Sequence, residues 1–364
     1  MIIKCFRSVG LKTAKALMGV ALAGLLGGYV VLQRTWHAEL NPMEPSRFVS
    51  FGRGRLGNQM SSLATIIAFS QRLNITPFVT QEQAEMLWEY FDDLDLHVLE
   101  DEMPNYQDYR WINPFRLIDE HIWNFDYSIL FSPDGSGASL LLGQTIEVGH
   151  YPNEVHMFRA ITPSLQSVFR LKDRYVLNAQ RNLELARSEF LEKRTTFHGN
   201  SEELEGSVII KPEDISFVSI HIRRGDYAEH LKSLYHIGYV KPEYYSEAIE
   251  WFKGAFKCPL FFIVSDDLEW AENELGDCNG HCFYAGSRKS SSEFDPNVPL
   301  ATSPEIGNDL ALLSQVNHSI ITYGTFGMWG ALLAGGQTLL PKGFDNMKEV
   351  KEIRRANFRD WTFI

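Results

Sequence analysis

Ser216-Phe-Val-Ser-Ile-His-Ile222 is an apolar run rich in β-branched and aromatic residues, and charge begins where it ends, at Arg223-Arg224-Gly225-Asp226-Tyr227. Such a run predicts a buried strand. The pattern then repeats downstream. Pro242 to Lys253 reads as a helix with proline near its start. Pro259 to Val264 reads as a second buried strand, closed by Ser265-Asp266-Asp267. Leu268 to Leu275 and Asp309 to Gln315 read as helices. Ser319 to Tyr323 reads as a third strand, and Gly324-Thr325-Phe326-Gly327 leads from it into a helix that reaches Ala334. Thr338 to Leu340 is a fourth strand. Strands alternating with helices predict an α/β, doubly wound parallel sheet.

The first half is less regular. Arg47 to Phe51 reads as a strand, Gly52 to Gly57 as a glycine-rich loop, and Met60, Leu63, Ala64, Ile67 and Ala68 recur at helical spacing. Asp92 to Gly149 is aromatic-rich without a clear period. Residues 176–194 read as an exposed helix of mixed charge. The polar stretch Thr195 to Glu213 marks a boundary, giving an N-terminal domain at 47–200 and a C-terminal domain at 201–364.

Composition narrows the function. The 364 residues are 45% hydrophobic and 22% charged, too apolar for a disordered chain. Lys plus Arg number 34 against 46 Asp plus Glu, a net charge of −12. That acidic balance argues against nucleic acid as a partner. An anionic ligand must therefore be held by a few local basic groups.

Residues 16–33, ALMGVALAGLLGGYVVLQ, carry no charge. Eighteen residues of helix reach about 27 Å, enough for a thin bilayer. Lys4, Arg7, Lys12 and Lys15 precede the run, which directs the N-terminus to the cytosol. The expectation is a cytosolic tail (1–15), a transmembrane anchor (16–33), a short stem (34–46) and a luminal remainder. A cleaved signal peptide is the rival, although its apolar core is usually shorter. Sequons at Asn74 and Asn317 permit N-glycosylation in that setting.

Of four cysteines, Cys5 lies in the tail and Cys258, Cys278 and Cys282 in the remainder. An odd luminal count leaves one unpaired, and either Cys278–Cys282 or a Cys258 pairing is open. The segment CNGHC, with His281, lacks the second half of a zinc motif. Asp93-Leu94-Asp95 matches a metal-chelating D-x-D formally, but lies in an acidic stretch of the first half. No metal site is expected.

Ligands of open α/β sheets bind beyond the carboxyl ends of the strands. Three polar clusters occupy those positions here. Arg223 and Arg224 offer guanidinium forks that match a diphosphate. The helix beginning near Thr325 offers free backbone N–H groups to an anion. Asp266 and Asp267 offer acceptors to ribose or a base edge. Taken singly, RRGD is a solvated turn, SDD a helix N-cap and GTFG a tight turn. Their shared placement favours a nucleotide-sugar site.

Four motifs then resemble one family. GRLGNQM (54–60), HIRRGDY (221–227), FFIVSDDLEWAEN (261–273) and NDLALLSQVNHSIITYGTFGMWGALLAGG (308–336) are similar, in order, to motifs of glycosyltransferase family 11, the α-1,2-fucosyltransferases. The resemblance implies a GT-B-like fold of two Rossmann-like domains behind one transmembrane helix, in a single-pass type II Golgi membrane protein. It implies GDP-β-L-fucose as donor, inversion at the anomeric carbon, and O2 of a terminal β-galactose glycan as acceptor, without a metal cofactor. It also implies residue roles. Arg223 contacts the β-phosphate. His221, Arg224, Asp266 and Asp267 belong to the donor site. Thr325, Phe326 and Gly327 cradle the diphosphate. Arg55 and Asn58 reach in from the facing domain. Asp226, Glu229 and His230 are acid–base candidates, Asp226 being better suited to orienting an arginine. Transfer to another sugar hydroxyl or to protein Ser/Thr, and a glycan- or nucleotide-binding protein without turnover, are the alternatives. A homodimer is compatible with the sequence.

Overall fold

The computed structural model describes residues 46–104, 145–148, 151–198, 210–285 and 304–364. The expected tail, anchor and nearly all of the stem lie outside these residues, as does the 199–209 part of the boundary. Among the described residues, no helix is long and apolar enough to cross a membrane.

The second half is a parallel sheet in the order β6-β5-β4-β7-β8-β9. Its strands are β4 (Ile215–Ile222), β5 (Cys258–Ser265), β6 (Cys282–Ala285), β7 (His318–Ile320), β8 (Thr338–Leu340) and β9 (Trp361–Phe363). β5 is buried along its whole length, which explains its unbroken apolar sequence. Successive side chains point to opposite faces. Leu260, Phe262 and Val264 enter one core, and Phe261 and Ile263 enter the other. Helix α4 (Pro242–Ala255) and α5 (Leu268–Leu275) cover the second face. Helix α3 (Asp173–His198), α6 (Pro304–Ser314) and α7 (Thr325–Ala334) cover the first. The expected doubly wound sheet is therefore present. Sequence order reverses between β4 and β7, and such a reversal opens a crevice beyond the strand ends.

In the first half, β1 (Arg47–Ser50) pairs in parallel with β2 (Thr76–Val79) and β3 (Thr145–Glu147). Helix α1 (Leu56–Leu73) follows β1 and buries Leu56, Met60, Leu63, Ala64 and Phe69. Helix α2 (Gln81–Tyr90) is capped by Thr80, whose side chain accepts from the Gln83 N–H.

The two halves share one continuous hydrophobic core. Trp329 of α7 is 1% exposed and donates its indole N–H to Ser61 Oγ of α1 at 2.8 Å. Its ring stacks on Phe158 and meets Phe169 edge-on. The chain end returns to the first half as helix α8 (Lys348–Ala356), where Glu352 meets His156.

Three expectations change. Residues 176–194 are not an exposed helix: Tyr175, Ala179, Leu183, Ala186 and Phe190 form a buried stripe. That stripe lies on the second half, with Asn178 donating to Asn308 Oδ1 at 2.9 Å and Arg187 over the Phe217 ring. The end of the segment assigned to the N-terminal domain therefore packs with the C-terminal sheet. The third strand is shorter than Ser319 to Tyr323, ending at Ile320. Elements β2, α2, β6, α8 and β9 add to those expected from the sequence.

Cys278 and Cys282 form a disulfide and Cys258 is free and buried. Both sulfurs of CNGHC bond to each other, which removes them as zinc ligands. Of the sequons, Asn74 is exposed and closes α1 in the left-handed region (φ 53°). Asn317 serves the fold, because its Oδ1 accepts the Phe217 N–H at 2.8 Å.

Replacing Trp329 with alanine removes the largest buried side chain between the halves. It is expected to lower the unfolding free energy by about 3–5 kcal/mol, read by urea denaturation.

Candidate active site

β4 ends at Ile222, so Arg223 is the first residue to leave the sheet, at the strand-order reversal. Its guanidinium is held on both sides, by Asp266 and by Asp226. Asp226 also accepts from Arg55 Nη2 of the facing half at 3.0 Å. One carboxylate therefore bridges two guanidinium groups from opposite sides of the crevice. Asp226 acts here as a positioning residue for Arg223 and Arg55.

Arg224, the second arginine expected at the donor site, meets a different set of partners. Its guanidinium lies 3.8 Å from the Trp270 ring centroid and 4.3 Å from that of Tyr239. Its Nε donates to Asp267 Oδ2 at 3.0 Å, and its backbone N–H donates to Asp266 Oδ1 at 2.8 Å. Arg223 is held in a similar way, paired to two carboxylates and 5.0 Å from the Tyr227 ring centroid, and the two side chains are 14% and 17% exposed. Asp267 likewise caps α5, accepting from the Trp270 N–H. Aromatic neighbours from separate segments are not readable from RRGD and SDD alone.

Two helices begin at this crevice. α7 starts at Thr325 after Gly324, whose φ of 92° favours glycine. α1 starts at Leu56 after Arg55, and neither N-terminus has a side-chain cap. Helix N-termini carry free N–H groups and a positive dipole end. They meet closely: a Cβ on Gly57 would lie 2.7 Å from both the Phe326 N and Thr325 Oγ1. Thr325 Oγ1 donates to Asn58 Oδ1 at 2.7 Å. Gln59 turns back to donate to the Gly52 and Gly54 carbonyls, fixing the loop that carries Arg55. Arg55, Asn58, Arg223, Thr325 and Phe326 are thus brought together.

His221 is buried, 6% exposed, and its Nδ1 has no hydrogen-bond partner. A Cβ on Gly327 would lie 2.4 Å from that nitrogen, so only glycine lets α7 settle here. Burial, reinforced by the Arg223 charge, lowers its pKa to about 3. It is a neutral support beneath the start of α7. Tyr227 stacks on Tyr323 with ring centroids 5.2 Å apart, and Tyr323 donates to the Arg223 carbonyl at 3.3 Å. His230 packs on Tyr227 and Tyr235, and Glu229 is exposed. Asp93 pairs with Arg170 at 3.4 Å, and Asp93 and Asp95 line a separate cavity of about 290 Å³ with Leu63 and Val168. The D-x-D is not part of the arginine cluster.

The folded-state pKa of His221 lies below its unfolded value, so its contribution to stability is full above about 6.5 and is lost as pH falls toward about 3. In His221→Asn the slope of stability against pH in that window is expected to flatten, as measured by urea unfolding at a series of pH values.

Comparison with known proteins identifies the family. Residues 137–364, more than half of the chain, match the family described as Glycosyl transferase family 11. Galactoside alpha-(1,2)-fucosyltransferase 1 of Rattus norvegicus is 27% identical over 292 residues, covering 80% of this chain and 64% of its own length. The Bos taurus protein of that name is 27% identical over 294 residues, covering 80% and 68%. The chain thus spans about two thirds of the length of these curated relatives. Among solved structures, a mutant Arabidopsis thaliana FUT1 in complex with GDP aligns at a TM-score of 0.45 and 12% identity, over 82% of this chain and 70% of that one. NodZ alpha-1,6-fucosyltransferase soaked with GDP-fucose aligns at 0.44 and 15% identity, over 80% and 93%. With its matched residues carrying β4 through β9 and the arginine at their switch point, the chain belongs to glycosyltransferase family 11.

Proposed function

We propose that this protein is a galactoside α-1,2-fucosyltransferase. It moves L-fucose from GDP-β-L-fucose to O2 of a terminal β-galactose, with inversion and without a metal cofactor. Family membership and the names of the relatives support the reaction class. The observation that carries the donor reading is the pair Arg223 and Arg55, set beside two helix N-termini without side-chain caps at the switch point. The two described halves face each other across this crevice, in keeping with a GT-B-like arrangement.

In this reading, negative charge grows on the GDP leaving group as the bond to the anomeric carbon breaks. Arg223 is the principal stabiliser of that charge, and it arrives already oriented by Asp266 and Asp226. Fixed cations and N–H dipoles in a partly buried site need little reorganisation as the charge develops. Arg55 adds a second cation from the N-terminal half. Thr325 and Phe326 supply the α7 N-terminus. Arg224, His221 and Asp267 act indirectly, by fixing the strand ends and helix starts. The same reading places the protein in the Golgi membrane, anchored by 16–33, with 47–364 in the lumen and a β-galactose-terminated glycan as partner.

The test uses residues 36–364 secreted, with GDP-fucose, EDTA and a panel of β-galactosides, followed by linkage analysis of the product. Transfer to O2 is the expected outcome. Transfer that appears only with added Mn²⁺ would overturn metal independence. Arg223→Ala is expected to reduce kcat by about 10²–10³, as for removal of one preorganised donor, while the protein remains folded and secreted. Wild-type turnover in that variant would overturn the assignment. Arg224→Met is expected instead to lower the melting temperature.

A further inference from the structure

A cluster of ionisable groups lies outside the site just described, where α8 returns to the first half. Glu154 is 3% exposed and its backbone N–H donates to Thr65 Oγ1 of α1 at 3.3 Å. His156 Nδ1 is in hydrogen-bond contact with Glu352 of α8, and lies 3.9 Å from Glu154 Oε2. Lys348 Nζ, also on α8, lies 3.6 Å from Glu154 Oε1. Arg355 Nη1 stands 3.9 Å from the other oxygen of Glu352. Two carboxylates therefore approach one imidazole in a poorly solvated joint, with one lysine opposite. From the 151–158 segment the facing groups are Glu154 and His156; from α8 they are Lys348, Glu352 and Arg355; from α1 the contact is the neutral Thr65.

The joint leads to the active site through the first turn of α8. Lys348 opens this turn. Glu349, the next residue, acts electrostatically on Tyr227 and Tyr235, and one of its carboxylate oxygens is buried without a hydrogen-bond partner. Tyr227 in turn lies under the Arg223 guanidinium, 5.0 Å from ring centroid to carbon.

We propose that Glu154, His156, Lys348 and Glu352 form a protonation-sensitive clasp that fixes α8 against the N-terminal half, and so positions Tyr227 and Tyr235 behind Arg223. The link to turnover rests on the fucosyltransferase reading; the clasp itself does not. With Glu154 neutral, Glu352 faces His156 without a competing carboxylate. With Glu154 ionised, two like charges share the joint, partly offset by Lys348. Burial, opposed by Lys348 and reinforced by Glu352, raises the Glu154 pKa from 4.5 to about 7. A carboxyl raised in the folded state contributes stability that is full below about 4.5 and lost as pH rises through about 7. The clasp is therefore tighter in mildly acidic solution.

Three variants test it: Glu154→Gln, Glu352→Gln and Lys348→Met. Thermal unfolding of each is followed from pH 5 to 8.5, which needs no substrate and stands whether or not fucose is transferred. The wild-type melting temperature is expected to fall across this window by about 2–4 °C more than that of Glu154→Gln. Glu352→Gln removes the like charge and is expected to move the transition to lower pH. Lys348→Met removes the counter-charge and is expected to move it higher. Fucose transfer at saturating donor is expected to decline from pH 6 to 8.5 in the wild type and to be flatter in Glu154→Gln. Superimposable pH profiles in all four proteins would overturn the clasp. The ligand atoms of Glu154, His156 and Glu352 lie within 4.8 Å of one another, so a chelator is the control. A melting temperature lowered by chelator and restored by Zn²⁺ would overturn the clasp in favour of a metal site.

Discussion

The arrangement depends on how closely α1 and α7 can approach. Gly57 has no Cβ, and any Cβ there would collide with the backbone N of Phe326. This absence lets two helix N-termini from different halves of the chain share one space. Two partial positive charges would normally be kept apart. Here the Trp329–Ser61 hydrogen bond and the aromatic packing around Trp329 hold the pair together. The hydrophobic core stabilises an electrostatic arrangement that is unfavourable by itself and suited to an anion. Asp226, held between Arg223 and Arg55, partly relieves it.

Support for Arg223 is layered. Asp266 binds both the Arg223 side chain and the Arg224 backbone, so the end of β5 sets the course of the chain leaving β4. Arg224 then fills the space between Trp270 and Tyr239 and secures Asp267. The two adjacent arginines thus reach different partners, Arg223 meeting Asp226 and Asp266, and Arg224 meeting Asp267 and Trp270. The chain also crosses between its halves twice more, through α3 and through α8. These crossings make the positions of the two sheets interdependent, which is why a clasp at α8 can affect the site.

The second sheet is legible in the sequence because its strands are buried on both faces and read as short apolar runs ending abruptly in charge or glycine. β4, β5 and α7 carry that signal strongly, and with them the positions of Arg223, Asp266 and Thr325. The α3 stripe is harder to see. Its buried residues lie among many charged ones, and the surface that receives them is distant in sequence. The short strands β6 and β9 offer three or four residues each, too few for a period to declare itself. The pairing of Cys278 with Cys282, left open by the count of cysteines, follows from the turn that brings them together.

The sequence by itself determined the alternation of strands and helices, the parallel sheet, and the set of residues standing at the strand ends. These are local properties: periodicity, breaker residues and the onset of charge. Only the tertiary structure decided which partners each of those residues meets. Arg223 and Arg224 are neighbours of identical chemistry, and nothing in their order distinguishes them. Their surroundings differ because Trp270 and Tyr239 converge on one guanidinium, and Arg55's partner Asp226 on the other. The joint of Glu154, His156, Lys348 and Glu352 was equally hidden, because its members come from segments nearly two hundred residues apart. Burial and long-range proximity set charge and protonation there, and neither is a property of the chain read in order.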